Sequence, residues 1–164
     1  MTNNNVQHLC GIFGEMEQHL VQYKDIAEVI MKIESDEIDA LNEKIAERQQ
    51  LIEKIAKLQE EATAILNGSD PREAQLIRGM LTGENINQRI AEELIPVRSA
   101  AVNLRSAQSM AAETDKNLQF QFESRLEEAK EQLRQLNSDK KKLDYYSSLK
   151  KSGAKLGGSL DSSF

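Results

Sequence analysis

Residues 38–74 read IDALNEKIAERQQLIEKIAKLQEEATAILNGSDPREA. The seam runs through Ile38, Leu41, Ile45, Arg48, Ile52, Ile55, Gln59, Ala62 and Leu66, with Leu51, Leu58 and Ile65 broadening it. Steps of three and four residues place these positions on one helical face, wide enough for a bundle. Asn67-Gly68 then stops the helix. Asp70-Pro71-Arg72-Glu73 starts another, with an N-cap acid, proline in the first position and a glutamate in the first turn. A long amphipathic helix ended by such a stop predicts an all-α chain whose helices must cover one another.

Working upstream, Val6, Leu9, Phe13, Met16, Leu20, Tyr23, Ala27 and Ile30 alternate in steps of three and four, the spacing of a coiled-coil-like seam. Asn3 to Asn5 offer N-caps. Gly11 and Gly14 each cost about 1 kcal/mol inside a helix, and suit either fraying or a close crossing. The seam calls for apolar residues at 34 and 37 and finds Glu34 and Glu37. The phase slips on Glu34-Ser35-Asp36-Glu37, where Ser35 is a good N-cap and the acids suit a first turn. A reversal and a kink both fit. Reversal in so few residues, without glycine or proline, is hard, so a bent and nearly continuous helix is expected.

Downstream, Leu76, Ile77, Met80 and Leu81 make a short helical connector up to Gly83, and Ile86, Ile90 and Leu94 line one face before Pro96, which kinks or restarts the chain. A last seam follows through Val97, Ala101, Leu104, Ala111, Leu118, Phe122, Leu126, Ala129, Leu133, Leu136 and Leu143, interrupted by Gln108 and Asp115. Its first half is rich in alanine. The helix is expected to end near Tyr146. The predicted fold is an antiparallel long-helix hairpin or three-helix bundle with coiled-coil-like packing, residues 1–146, and a flexible C-terminal tail, residues 147–164. In it, Phe122 to Tyr146 runs beside the N-terminal stretch.

Composition narrows the function. The 164 residues are 29% charged and contain no tryptophan and two prolines, the usage of long helices rather than of a packed α/β enzyme. No stretch approaches the apolar length of a membrane span, and Met1 to Asn5 lacks the basic start of a signal peptide. A lone cysteine, Cys10, fits a reducing compartment, and a cytoplasmic location is expected. His8 and His19 are about 16 Å apart on a helix, too far to share a metal, and no phosphate-loop, nucleophile-elbow or zinc-protease motif occurs. The residues therefore predict a non-enzyme with no catalytic residue, cofactor or metal. Net charge is −6, yet Ser138 to Lys155 holds six lysines against two aspartates. Lysines there complement a helix C-terminus, which argues against nucleic acid; a nucleic-acid or anionic-surface binder is the competing use of Lys140 to Lys155.

What remains is interaction. Leu133, Leu136, Leu143, Tyr145 and Tyr146 continue the apolar stripe, and Leu149, Leu156, Leu160 and Phe164 carry it into the tail. These nine are the expected partner-binding residues. Self-pairing of the seams, as a homodimeric scaffold or tether, is the alternative.

Two segments, SDEIDALNEKIAERQQLIEKIAKLQ (35–59) and AAETDKNLQFQFESRLEEAKEQLRQL (111–136), flank the polar turn. Their order resembles the flagellar export chaperones of the FlgN type. Asp115 stands where that family has its first Asn, Asn117-Leu118 stand near the second, and Tyr145-Tyr146 follow the heptads; the ending SLDSSF is also similar to some members. The resemblance implies a cytoplasmic chaperone that holds hook-associated (hook–filament junction) subunits with its C-terminal third and delivers them to an export-gate component, without membrane insertion.

Overall fold

A computed structural model describes the backbone of residues 1–34, 36–84 and 89–157, with side chains through residue 148. The helices are α1 (Asn3–Ile30), α2 (Ile38–Asn67), α3 (Pro71–Thr82) and α4 (Ile95–Gly157), with a 3-10 turn at Glu92–Leu94. Among the described residues there is no strand, and the helices pack into the all-α bundle that the periodicity predicts. Two compact units divide the chain, Met1–Gln119 and Phe120–Phe164.

In the first unit, α1 and α2 do not make the bent rod expected through Glu34–Glu37. α2 folds back along α1. His8 comes within 4.0 Å of Glu61 toward one end, and Ala27 and Ile30 cluster with Leu41 toward the other. Among the described residues of the turn none is left-handed, so none calls for glycine. Met31 keeps right-handed helical angles (φ −61°, ψ −22°), and Lys32 and Ile33 donate to the Val29 and Ile30 carbonyls at 2.9 and 3.2 Å, tightening the last turn to 3-10 pitch. Glu37 N–H donates to the Glu34 carbonyl at 3.2 Å, while Glu34 N–H donates to the Glu37 carboxylate at 3.1 Å. Ile33, buried, ties the connection to the bundle. The slipped seam thus marks two helices with two faces.

Other boundaries follow local chemistry. Thr2, rather than Asn3 to Asn5, caps α1, its hydroxyl accepting from Asn5 N–H. A Cβ at Gly11 or Gly14 would meet nothing within 4 Å, so neither marks a close crossing. Asp70 caps α3 as expected, accepting from the Arg72 and Glu73 N–H groups at 2.9 and 3.3 Å. Gly83 ends α3 at φ 91°, letting Glu84 N–H reach back to the Gly79 carbonyl at 2.8 Å. The positive φ is what requires glycine, because the group a Cβ would meet there, the Arg105 guanidinium, ends a flexible exposed side chain. Pro96 restarts the chain rather than kinking it, since it lies in the first turn of α4.

The core joins Val6, Leu9, Phe13 and Met16 of α1, Ala62 and Leu66 of α2, Ala74, Ile77 and Met80 of α3, Leu94, and Val97, Ala101 and Leu104 of α4. A second small cluster joins Leu118 to Ala27 and Ile30. The first part of α4 therefore runs parallel to α1 and antiparallel to α2. It covers α1 where the sequence reading placed Phe122 to Tyr146.

The second unit is helical through Gly157, so the helix end expected near Tyr146 is too early. Residues 147–157 contain no proline, and lysines near a helix C-terminus meet its negative dipole end. Gly153 and the serines lower helix propensity by at most about 1 kcal/mol each, too little to outweigh an already formed helix. Residues 158–164 lie outside the described residues.

Candidate functional site

Two places in the molecule put functional side chains together. The first lies where α1, α2 and α4 meet. Tyr23 Oη donates to Asp115 Oδ2 at 2.9 Å. Arg48 Nη2 pairs with Asp115 Oδ1, and the guanidinium stacks 3.8 Å over the Tyr23 ring centroid. Each residue comes from its own helix at a seam position. The spacing of Arg48 to Glu43 and Glu47 suggests a solvated charge face, but Glu47 pairs with Lys44 at 2.7 Å and Arg48 turns inward. Its side chain is 14% exposed against 41% for Asp115, so the pair is wetted from the Asp115 side. Burial and the Asp115 hydrogen bond push the Tyr23 hydroxyl pKa up, while the Arg48 charge opposes them. Arg48 Nε and His19 Nδ1 are buried without a hydrogen-bond partner.

A cleft of about 350 Å³ adjoins this junction, between Ile52 and Ile55 of α2 and Ala111 and Ala112 of α4. It shares Gln59 and Gln108 with a second cleft of about 380 Å³ whose floor is Phe13 and Met16. Both glutamines are exposed, which explains their tolerance at seam positions. The walls are apolar and amide-bearing, with Asp115 and Arg78 as their charged groups. They can bind, and Tyr23 with Asp115 is a hydroxyl–carboxylate pair on the wall of the smaller cleft, where the raised tyrosine pKa keeps the hydroxyl protonated. Among the described residues no three His, Cys, Asp or Glu side chains could hold a metal, and none of the helices is long and apolar enough to cross a membrane. Cys10 is partly buried, and burial pushes its thiol pKa up, away from the reactive thiolate.

The second place is α4 beyond residue 125. Every residue from 126 to 148 is exposed. Five of the expected partner-binding residues lie there: Leu133, Leu136, Leu143, Tyr145 and Tyr146, each 60–69% exposed, with Leu126 at 55%. The Tyr145 and Tyr146 rings meet edge-on with centroids 6.1 Å apart. Lys130–Glu127, Arg134–Glu131 and Lys142–Asp139 pairs, at 2.7, 3.5 and 3.3 Å, line the polar flanks; exposed helix pairs of this kind contribute about 0.3–0.5 kcal/mol each. Leu149 and Leu156 belong to the α4 backbone, but their side chains lie outside the described residues, as do Leu160 and Phe164 entirely.

Sequence reasoning missed the Tyr23–Arg48–Asp115 junction, although two charged residues of opposite sign on two seams were its signal. It also missed Phe120, 74% exposed, because that ring stands off the seam. Compared with protein-family models, curated proteins and solved structures, the chain matches none.

Proposed function

We propose that this protein is a non-enzymatic, chaperone-like carrier that binds another protein along the exposed face of α4. The observation that carries the reading is the unbroken exposure of residues 126–148, with a leucine or tyrosine on nearly every turn. Isolated exposed leucines are ordinary, but a contiguous helical stripe is the form in which helix-in-groove partners are recognised. Each leucine or aromatic buried there contributes about 1.5–3 kcal/mol. The helix is already formed, so binding spends little on ordering backbone. Several such anchors give a reversible complex, as a carrier requires.

The resemblance supplies the finer reading: the cargo is a hook-associated flagellar subunit, the delivery point is an export-gate component, and the site of action is the cytoplasm. Purified hook-associated subunits, titrated calorimetrically against the full chain and against Leu136→Glu with Leu143→Glu, test it. The full chain should bind, and the double variant should bind at least tenfold more weakly with an unchanged melting temperature. Equal affinity for both proteins would remove the α4 face from the function.

A further inference from the structure

We infer that the Phe122–Ser147 face of α4 docks a second copy of this chain, antiparallel, as a two-stranded coiled coil. Phe122, Leu126, Ala129, Leu133, Leu136, Lys140, Leu143 and Ser147 alternate in steps of four and three, the period that keeps one seam facing a partner helix. All eight are exposed.

The order of residues along this seam identifies the occupant. About the peptide bond between Arg134 and Gln135 the leucines of the seam are placed symmetrically, while the end pair, Phe122 and Ser147, differs in size. Leu133 and Leu136 are equidistant from it, as are Leu126 and Leu143. So are Ala129 and Lys140, the two non-leucine positions between them. A two-fold interface sets each residue against its mirror position on the partner. Leucine then meets leucine in four layers, and the small Ala129 leaves room for the Lys140 stem to lie across it with its ammonium in water. A cargo helix has no reason to mirror this pattern; a second copy does so by identity.

Charge gives the direction. In a parallel pair Lys140 would face Lys140, and the flanking Asp139 would face Asp144, like charges at the positions that set orientation. Antiparallel pairing removes both conflicts. It lays residues 122–134, with four acids and three bases, against residues 135–147, with two acids and three bases. One like pair remains at the ends, Glu123 with Asp144. The inference stands apart from the carrier reading; where both hold, cargo and second copy compete for one stripe.

The test uses the full chain in a Cys10→Ser background. Leu126→Cys and Leu143→Cys proteins are oxidised gently, alone and mixed, while the wild type is sedimented over a hundredfold range of concentration. The expected result is a disulfide-linked dimer in the mixture, little in either protein alone, and a wild-type mass that rises to two copies. Leu133→Glu should hold the mass at one copy without loss of helicity. Cross-linking of Leu126→Cys alone as readily as in the mixture would replace the antiparallel pair with a parallel one. A wild type of one-copy mass throughout would overturn the inference.

Discussion

One helix, α4, leads two lives. From Val97 to Leu118 its seam is alanine-rich, and Val97, Ala101, Leu104, Ala107, Ala111 and Leu118 are buried. From Leu126 to Tyr146 the same spacing carries leucines and tyrosines, and all of them are exposed. Periodicity is identical in the two halves, so periodicity says which face of a helix is apolar and not what covers it. Residue size separates them better. Small side chains let α4 approach α1 and α2 closely enough to share one core with them, whereas large ones extend reach toward a surface still to be met.

Replacing one leucine in each half is the sharpest way to break this comparison. Leu104→Ala leaves a cavity on the cleft that Leu104 lines with Phe13 and Met16, and large-to-small core changes cost about 2–5 kcal/mol. Leu133→Ala removes a side chain that is 60% exposed, and surface changes of this kind stay within about 0.5 kcal/mol. Urea unfolding of the two variants should therefore separate widely in midpoint with similar slopes. At protein concentrations low enough to keep the chain in one copy, comparable losses would mean that the leucine half is already covered in solution by its own chain.

How far the sequence could be read follows the same division. The helical class, the stop at Asn67-Gly68 and the Asp70-Pro71 start were legible because each rests on local backbone chemistry. The reversal after Ile30 was not, because its closing hydrogen bonds, Glu34 with Glu37, use residues that serve equally well inside a helix. The end of α4 was misplaced for a related reason: serine and glycine lower helix propensity without forbidding helix. Leu133, Leu136, Leu143 and Tyr146 are exposed, which the seam allowed only if the C-terminal helix outran the N-terminal stretch expected beside it; periodicity could not decide that length match. The junction escaped because its partners come from three helices, and pairing between helices is tertiary information.

A second comparison sets that junction against the surface pairs of α4. Arg48 and Asp115 bind across helices with Arg48 largely buried, whereas Lys130–Glu127 is an exposed pair within one turn. Arg48→Met and Asp115→Leu should each cost about 1–3 kcal/mol, since each strands a polar partner in a partly dry site. The double variant should lose less than the two together, with a coupling of about 0.5–3 kcal/mol. The matching cycle on Lys130 and Glu127 should give a coupling under about 0.5 kcal/mol. Chemical denaturation of both sets decides the matter, and equal couplings would show that the junction is no more than another surface pair.

The smallest expected effect sharpens the same contrast by pH. Tyr23 has its hydroxyl pKa raised first by burial and then by its hydrogen bond to Asp115. A tyrosine whose folded pKa lies above its unfolded one contributes stability that is fully present below the unfolded value. That contribution is lost as pH rises through the folded value, because the unfolded chain gives up its proton first. Tyr23→Phe should cost about 0.5–1.5 kcal/mol at pH 8, the worth of one hydrogen bond. The gap between variant and wild type should close as pH climbs past the ordinary tyrosine value of 10. Every other ionisable group is common to both proteins, so the difference isolates Tyr23. Urea midpoints measured for the pair from pH 8 to pH 11 test this directly. A gap that stays constant across that range would mean that the hydroxyl ionises as easily in the bundle as in the unfolded chain, and that the junction holds by the stacking of Arg48 on the ring instead.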